Sequence, residues 1–422
     1  MAVQTLPASK PLEGIRVLDF TQNLPGPYAT LVLVSLGAEV IKIEPPRGDP
    51  ARSFGRLFEI VNAGKRSIVL DLKDPSATPK VHALMKSADV VVEGFRPGVM
   101  KRLGCDAETA LALAPRLIYC SISGFGQSGP YRDHPGHDLN YQALTGICDM
   151  HADEDDRPHG SALPIADLSS AMTAVTSILA ALLGRQRDGK GRHIDVAIVD
   201  AALSWVNVWS QGLLPDASPS ALLDPVARSL SSAAQGTQQV SATLSALLGK
   251  GAELLAGPEA RAGADAVGAR LGQTEAVRRM KRRGLHALPH YELFRTRDDR
   301  WMSVGILDES KFWSALCRGL GLPLLARVPF AARLVGSAPI RTMLAAAIRR
   351  RTLEEWFEVL DRAEIPVTPV LTVAEALEDA HLRTRRAPDG ALHAPFALAG
   401  TLGPAPQLGA DTQHILDELD DA

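Results

Sequence analysis

Two side chains in this sequence have types that can move protons: His137, within Gly136-His-Asp-Leu-Asn-Tyr141, and Asp167, within Ile165-Ala-Asp167. They stand 30 residues apart. An imidazole and a carboxylate tuned near neutrality can act as a reversible acid–base pair, and the carboxylate alone can act as a nucleophile. The residues also admit a plainer reading, with Asp167 capping a helix that begins near Ser169 and His137 a hydrogen-bonded loop residue. Just upstream, Gly124-Phe-Gly126-Gln-Ser-Gly129 spells G-x-G-x-x-G directly after the strand-like run Leu117–Ile122.

The glycines fail the test for a dinucleotide site. That fingerprint needs a helix immediately after the glycines, so that the pyrophosphate rests on its N-terminus. Here Pro130-Tyr-Arg-Asp-His-Pro135 follows, with two prolines and no apolar period. An acidic residue about 20 positions on should end a second strand, but Asp149 and Asp153 sit in polar loop sequence. The motif reads instead as a backbone loop that lets a ligand approach closely.

The elements that must position these residues alternate. Strands are expected at Ile15–Phe20, Glu39–Glu44, Ser67–Asp71, Asp89–Glu93, Leu117–Ile122 and Ile194–Ile198, with helices at Tyr28–Leu36, Pro79–Ser87 and Ser169–Arg185. Such alternation predicts an α/β fold, Rossmann-like, with a mostly parallel sheet whose ligands sit beyond the strands' carboxyl ends. Those ends carry Thr21-Gln-Asn23, Pro45-Pro-Arg47 and Gly94-Phe-Arg96. Residues 215–283 turn Ala-rich and nearly free of aromatics, ending in the basic cluster Arg278–Arg283, which reads as a solvated helix face. A hairpin is expected from His290–Phe294 and Trp301–Gly305 around Arg297–Asp299, then a helix at Leu353–Asp361. A strand, loop and short helix follow over Ile365–His381, and a Pro/Gly/Ala-rich tail covers 386–406.

Composition narrows the class. Hydrophobic residues at 46% and charged residues at 22% suit a soluble globular protein, and a net charge of -3 argues against a broad nucleic-acid or membrane-facing field. Four scattered cysteines without C-x-x-C spacing argue against a disulfide framework or zinc knuckle. No apolar run reaches the roughly 20 residues that span a bilayer. The opening lacks a signal-peptide core and the ending is not a peroxisomal tripeptide, so a cytoplasmic location is expected.

Taken together, the segments PLEGIRVLDF, LGAEVIKIEPPRGDPAR, NAGKRSIVLDLKDP, VVEGFRPGVMKRLG, GFGQSGPY, GHDLNYQALTG, IADLSSAM and GKGRHIDVAIVD resemble CoA-transferase family III, the CaiB/BaiF-like group. That group includes formyl-CoA transferases, carnitine CoA-transferases and α-methylacyl-CoA racemases. The resemblance covers roughly residues 11–205, 285–320 and 365–415. It implies a large α/β CoA-binding domain from 1–205 and 365–422, an Ala-rich insertion at 206–284, a small α+β domain at 285–340 and a helical linker at 341–364. It also implies an interlocked homodimer.

The resemblance further implies site roles. Asp167 would attack the thioester in a transferase, passing through an anhydride, or share proton transfer at the acyl α-carbon with His137 in a racemase. GHDLNY favours the racemase branch. So does VGILDESKFW, which makes Glu309, or Asp308 one position earlier, the partner that orients His137. The alternative for Glu309 is a surface carboxylate opening a helix. An enolate needs donors, expected from backbone amides near Gly136–Asp138 or at the start of the Asp167 helix. Lys73, Phe95, Arg96 and Arg102 match CoA-contacting positions. Arg47, Lys65 and Arg66 are weaker candidates with a solvated-cation alternative, and Asp138 and Tyr141 join the binding set. Pro45 stands where relatives carry a phosphate-contacting arginine, and Asp298-Asp299 replaces an Asp-Gly turn. The implied partner is an acyl-CoA substrate, with no metal and no cofactor beyond its CoA. The leading expectation is epimerisation of a 2-methylacyl-CoA, and the alternative is CoA transfer between carboxylic acids.

Overall fold

Short runs of Val and Ile set the framework of the first unit. In the computed structural model six parallel strands form one sheet: β1 (Arg16–Phe20), β2 (Glu39–Glu44), β3 (Arg66–Val69), β4 (Val90–Glu93), β5 (Ile118–Ser123) and β6 (Arg192–Ala197). Their order is β3-β2-β1-β4-β5-β6. The structure describes residues 10–153, 157–213, 288–307, 309–330, 333, 336–360, 365–384 and 402–420. The 215–283 segment with its basic cluster at Arg278–Arg283, Asp308, and the tail from 386 to 401 lie outside the described residues.

Helices cover both faces, which is why β4 and β5 are buried throughout rather than alternating. They are α1 (Pro25–Ser35), α2 (Ala77–Ser87), α3 (Ala107–Leu113), α4 (Asp138–Leu144), α5 (Ile165–Asp188) and α6 (Ile198–Leu213). Val17, Val90, Val92, Ile118 and Cys120 face α1 and α5 on one side. Leu18, Val91 and Tyr119 pack on the other side with Val81 and Leu84 of α2. Burying one such aliphatic side chain contributes about 1.5–3 kcal/mol.

Two helices start earlier than their apolar pattern suggests. α1 begins at Pro25 rather than Tyr28, because a proline in the first turn forfeits only an N–H that has no helical partner. α5 begins at Ile165 rather than Ser169 and runs 24 residues to a left-handed Gly189. It is long and apolar enough to cross a membrane by length and composition, contrary to the sequence expectation. Here Ala171, Ala174, Val175, Ile178 and Leu182 form its core face against the sheet. The C-terminal helix Thr412–Asp420 buries Ile415 on the opposite face. Just before it, Asp411 accepts from Ser67 N at 2.9 Å, covering the β3 edge.

The chain divides into two units, residues 1–207 with 381–422, and residues 208–380. In the second, β7 (Tyr291–Arg295), β8 (Trp301–Gly305) and β9 (Val367–Pro369) form an antiparallel sheet in that order. Asp299 supplies the left-handed residue of the hairpin turn, with φ of 60°, in place of the expected glycine. Helices α7 (Ser310–Gly319), α8 (Ser337–Ile348) and α9 (Leu353–Leu360) contribute Trp313, Leu316, Leu344, Trp356 and Leu360 to one core. Two boundaries differ from the sequence reading. The described residues 341–360 of the expected linker belong to this core, where Leu344, Trp356 and Leu360 are buried. The return to the large unit falls at His381 rather than 365, because Val367 pairs with Val304 of β8.

Candidate functional site

β1 lies between β2 and β4, the point where successive crossovers diverge to opposite sides of the sheet. In such sheets the divergence opens a crevice beyond the carboxyl ends. A cavity of ≈ 520 Å³ fills it here. Thr21, Gln22 and Asn23 line it from the end of β1, and Gly94, Phe95, Arg96 and Pro97 from the end of β4. Arg132, His134, His137, Tyr141 and Asp167 are also part of its wall. His137 and Asp167 therefore share one cavity.

Asp138 explains how they are held. His137 is the extended residue before α4, with its N–H donating to Asn140 Oδ1 at 3.0 Å. Asp138 Oδ1 accepts from Ala166 N at 2.8 Å and Asp167 N at 3.1 Å. These are the N2 and N3 donors that an N-cap side chain normally takes, and Pro164 at the cap position has no side chain able to do so. Asp167 is thus not the cap of its own helix. Asp138, expected in the CoA-binding set, does not line the cavity: its other oxygen is engaged by Gln142 Nε2. Of the backbone donors expected for an enolate, the Ala166 and Asp167 amides are taken by this cap and the His137 amide by Asn140.

Burial pushes the Asp167 carboxyl up to about 7, with the Asp138 charge adding to the shift. The helix dipole favours the opposite direction, but desolvation and like charge outweigh it. Tyr141 is buried; its hydroxyl donates to Gly136 O at 2.7 Å and its ring meets Phe125 edge-on at 5.4 Å. Burial, then the Asp167 charge, raise its phenol to about 12. The role of Gly124 is also settled: a Cβ there would stand 2.5 Å from the Tyr141 hydroxyl oxygen. The close approach that this glycine permits is that of Tyr141.

Beneath the β1 loop lie two fully buried ion pairs, Lys65–Asp19 at 3.0 Å and Lys42–Asp49 at 2.8 Å. Asp19 accepts from Thr21 N at 2.9 Å, and Lys42 donates to Thr21 O at 2.9 Å. Lys65 also donates to Pro27 O, Thr30 Oγ1 and Asn62 Oδ1, so this CoA candidate is a structural cation. Desolvation lowers its ammonium to about 8. The Asp19 carboxyl is buried yet ends well below the usual carboxylate range, because Lys65, Lys42 and two hydroxyl donors outweigh the desolvation. Arg66 is likewise spoken for, pairing with Glu39, Glu418 and Asp411.

Of the other expected CoA contacts, Phe95 and Arg96 line the cavity. Arg47, Lys73 and Arg102 are exposed and do not line it. They follow the carboxyl ends of β2, β3 and β4, along the same edge of the sheet. Arg102 approaches the rim: an atom built on Gly98 would lie 3.7 Å from Arg102 Nη1 and 3.6 Å from Arg132 Nη2. Glu309 lies in the second unit, where it precedes α7 and its Oε2 accepts from Leu307 N at 2.8 Å. Hydrogen bonds from its own N–H and that of Leu307 hold its carboxyl below the usual range, with smaller contributions from His290 and Arg333.

Sequence reasoning missed Arg132 and His134 as cavity residues, and placed Asn23 at a ligand-side strand end without giving it a role. Arg132 and His134 sit between two prolines with no periodic signal, and their only cue is an arginine and a histidine bracketed by Gly129 and Gly136. A further cavity of ≈ 540 Å³ lies between Arg52–Glu59 and Pro404–Gln407. Its charges are internally matched, because Arg52 pairs with Glu44 while stacking on Phe58, and Arg56 pairs with Glu59.

Comparison with known proteins agrees with this architecture. The profile of CoA-transferase family III matches residues 12–221 and 233–412. The chain belongs to that family, whose members similar to it are enzymes. It is 31% identical to acetyl-CoA:oxalate CoA-transferase of Acetobacter aceti over 393 residues, covering 88% of this chain and 84% of that one. It is 30% identical to human alpha-methylacyl-CoA racemase over 377 residues, covering 89% and 81%. Succinate–glutarate CoA-transferase of Agrobacterium fabrum is 40% identical, over 45% of this chain and 51% of its own length. A CAIB/BAIF family protein from Brucella suis superimposes with a TM-score of 0.72 at 26% identity, over 97% of this chain and 100% of that one.

Proposed function

We propose that the switch-point cavity receives the acyl end of a CoA thioester and that Asp167 and His137 exchange a proton at its α-carbon, epimerising a 2-methylacyl-CoA. The observation that carries this reading is that both side chains open into one cavity, with the Asp167 carboxyl raised to about 7. Ionised Asp167 takes the α-proton and becomes the acid, leaving an enolate. Protonated His137 then returns a proton to the opposite face of the α-carbon, and the roles reverse for the other epimer. With the His137 N–H taken by Asn140, the flanking N–H groups of Gly136 and Asp138 supply the donors that the enolate oxygen needs. Phe95, Arg96 and the cations beyond β2, β3 and β4 give the nucleotide tail an apolar contact and charge along one sheet edge. An interlocked homodimer, a cytoplasmic location and no cofactor beyond substrate CoA belong to the same proposal.

The test is incubation with a 2-methylacyl-CoA in deuterated water. Deuterium at the α-carbon, lost in His137→Ala, is the expected result; unlabelled ester after complete incubation would sink the reading. A second reading is CoA transfer, favoured by the transferase names among the similar proteins, one of them matched over 84% of its length. Ionised Asp167 would then attack the thioester carbonyl and expel CoA thiolate, forming a mixed anhydride. CoA thiolate would attack the aspartyl carbonyl, releasing the first acid and leaving an enzyme–CoA thioester. The incoming carboxylate would open that thioester to an anhydride, from which CoA thiolate takes the new acyl group and restores Asp167. Labelled free acid appearing in the CoA ester, with activity surviving His137→Ala, would select this route.

A further inference from the structure

We infer that Asn23 contacts substrate in this cavity, its carboxamide donating a hydrogen bond to the acyl oxygen of a bound thioester; the inference rests on the acyl-CoA reading above. Asn23 has a φ of 63°, in the left-handed region, and among the described non-glycine residues only Asp299 of the β7–β8 turn shares it. Glycine adopts that backbone without steric cost, so the turn alone gives no reason for a side chain there. The conformation is imposed from below. Asp49, 2% exposed, accepts from Asn23 N at 3.1 Å and from Ala51 N at 2.8 Å. Its second oxygen meets Lys42 Nζ at 2.8 Å, and Lys42 grips Thr21 O. Buried charges therefore hold the main chain on both sides of Gln22.

The side chain so presented lines the cavity that holds Asp167 and is exposed. Among the described residues its carboxamide makes no hydrogen bond. A carboxamide offers two N–H donors without charge. Donors fixed in advance favour an oxygen that gains negative charge, as a thioester carbonyl does on enolisation or on attack by a carboxylate. Left-handed residues that the surroundings over-determine cluster at ligand clamps, and the Asp49–Lys42 pair is such a determinant.

Asn23→Gly tests this, because it removes the carboxamide while suiting the backbone. Affinities for acetyl-CoA and free CoA are compared by calorimetry in Asp167→Asn protein, which cannot form the aspartyl anhydride. The expected result is an unchanged or higher thermal midpoint and about tenfold weaker acetyl-CoA binding, the effect of one hydrogen bond, with free CoA unaffected. Equal weakening of both ligands would mark a structural role and overturn the inference, as would no change in either. A failure of the acyl-CoA reading shows separately, as absence of CoA binding in the unsubstituted protein.

Discussion

Asp138 accepts hydrogen bonds from the backbone N–H groups of Ala166 and Asp167, at 2.8 and 3.1 Å. The residue directly after His137 is thus the cap of the helix that carries Asp167. One carboxylate fixes the spacing of the two candidate reacting groups and also opposes charge on one of them.

Asp138→Asn should separate those two effects. The amide oxygen keeps an acceptor for the helix start, so stability should fall by about 0.5–2 kcal/mol at most. Loss of the negative charge should lower the Asp167 pKa, and the acidic limb of the pH–rate profile should move to lower pH. An unmoved limb would show that burial alone sets the Asp167 value.

The raised Asp167 pKa also predicts a pH dependence of stability. Its folded value, about 7, lies above the ordinary carboxylate value of 3.8. Between those two pH values the folded protein retains a proton that the unfolded chain releases, so this group's contribution to stability declines as pH rises. The penalty is complete above the folded value. Asp167→Asn should therefore be inactive yet melt higher than the unsubstituted protein at pH 8, with the advantage vanishing near pH 4. Melting curves across that window check it. Glu93, raised by burial to about 7, contributes with the same sign and should survive in the variant as a residual slope.

His137→Ala should reduce α-proton exchange by about 10²–10⁴, the usual contribution of a positioned acid–base group. The α-deuterium rate measured by mass spectrometry is the readout. Binding of free CoA should change little, because His137 is assigned to the acyl end.

Gly124→Ala places a methyl group 2.5 Å from the Tyr141 hydroxyl oxygen. Overpacking of this kind typically costs about 1–3 kcal/mol. Tyr141→Phe removes the nearest clashing atom, so the double variant should be less destabilised than the sum of the two single changes. Denaturant titration of the cycle measures that coupling.

Lys65→Met strips the counter-ion from a fully buried Asp19. Breaking a buried pair on one side costs about 3–5 kcal/mol. Adding Asp19→Asn should recover part of the loss, as read from chemical denaturation.

Much of the framework was legible in the sequence. Apolar runs bounded by turns marked all six parallel strands, most plainly β4 and β5, which are buried on both faces, and GHDLNY with IADL marked both candidate reacting residues. Short-range pattern could not place Val367–Pro369, since three residues do not identify their sheet. Nor did it distinguish a cation bound for phosphate from Lys65, three of whose four partners, Asp19, Pro27 and Thr30, come from distant segments. Asn23 was legible only as part of a strand's carboxyl end, because its backbone conformation is set by Asp49, 26 residues away.

The sequence by itself determined the alternation of strand and helix, which follows from residue type and near-neighbour spacing, and its resemblance to CoA-transferase family III singled out His137 and Asp167 as candidates. Tertiary structure decided that His137 and Asp167 open into one cavity, that Asp138 rather than Asp167 caps the helix, and that burial lifts Asp167 towards neutrality. Those outcomes depend on desolvation and on hydrogen bonds between residues far apart in the chain, which come into being only when the sheet has closed around its crossovers.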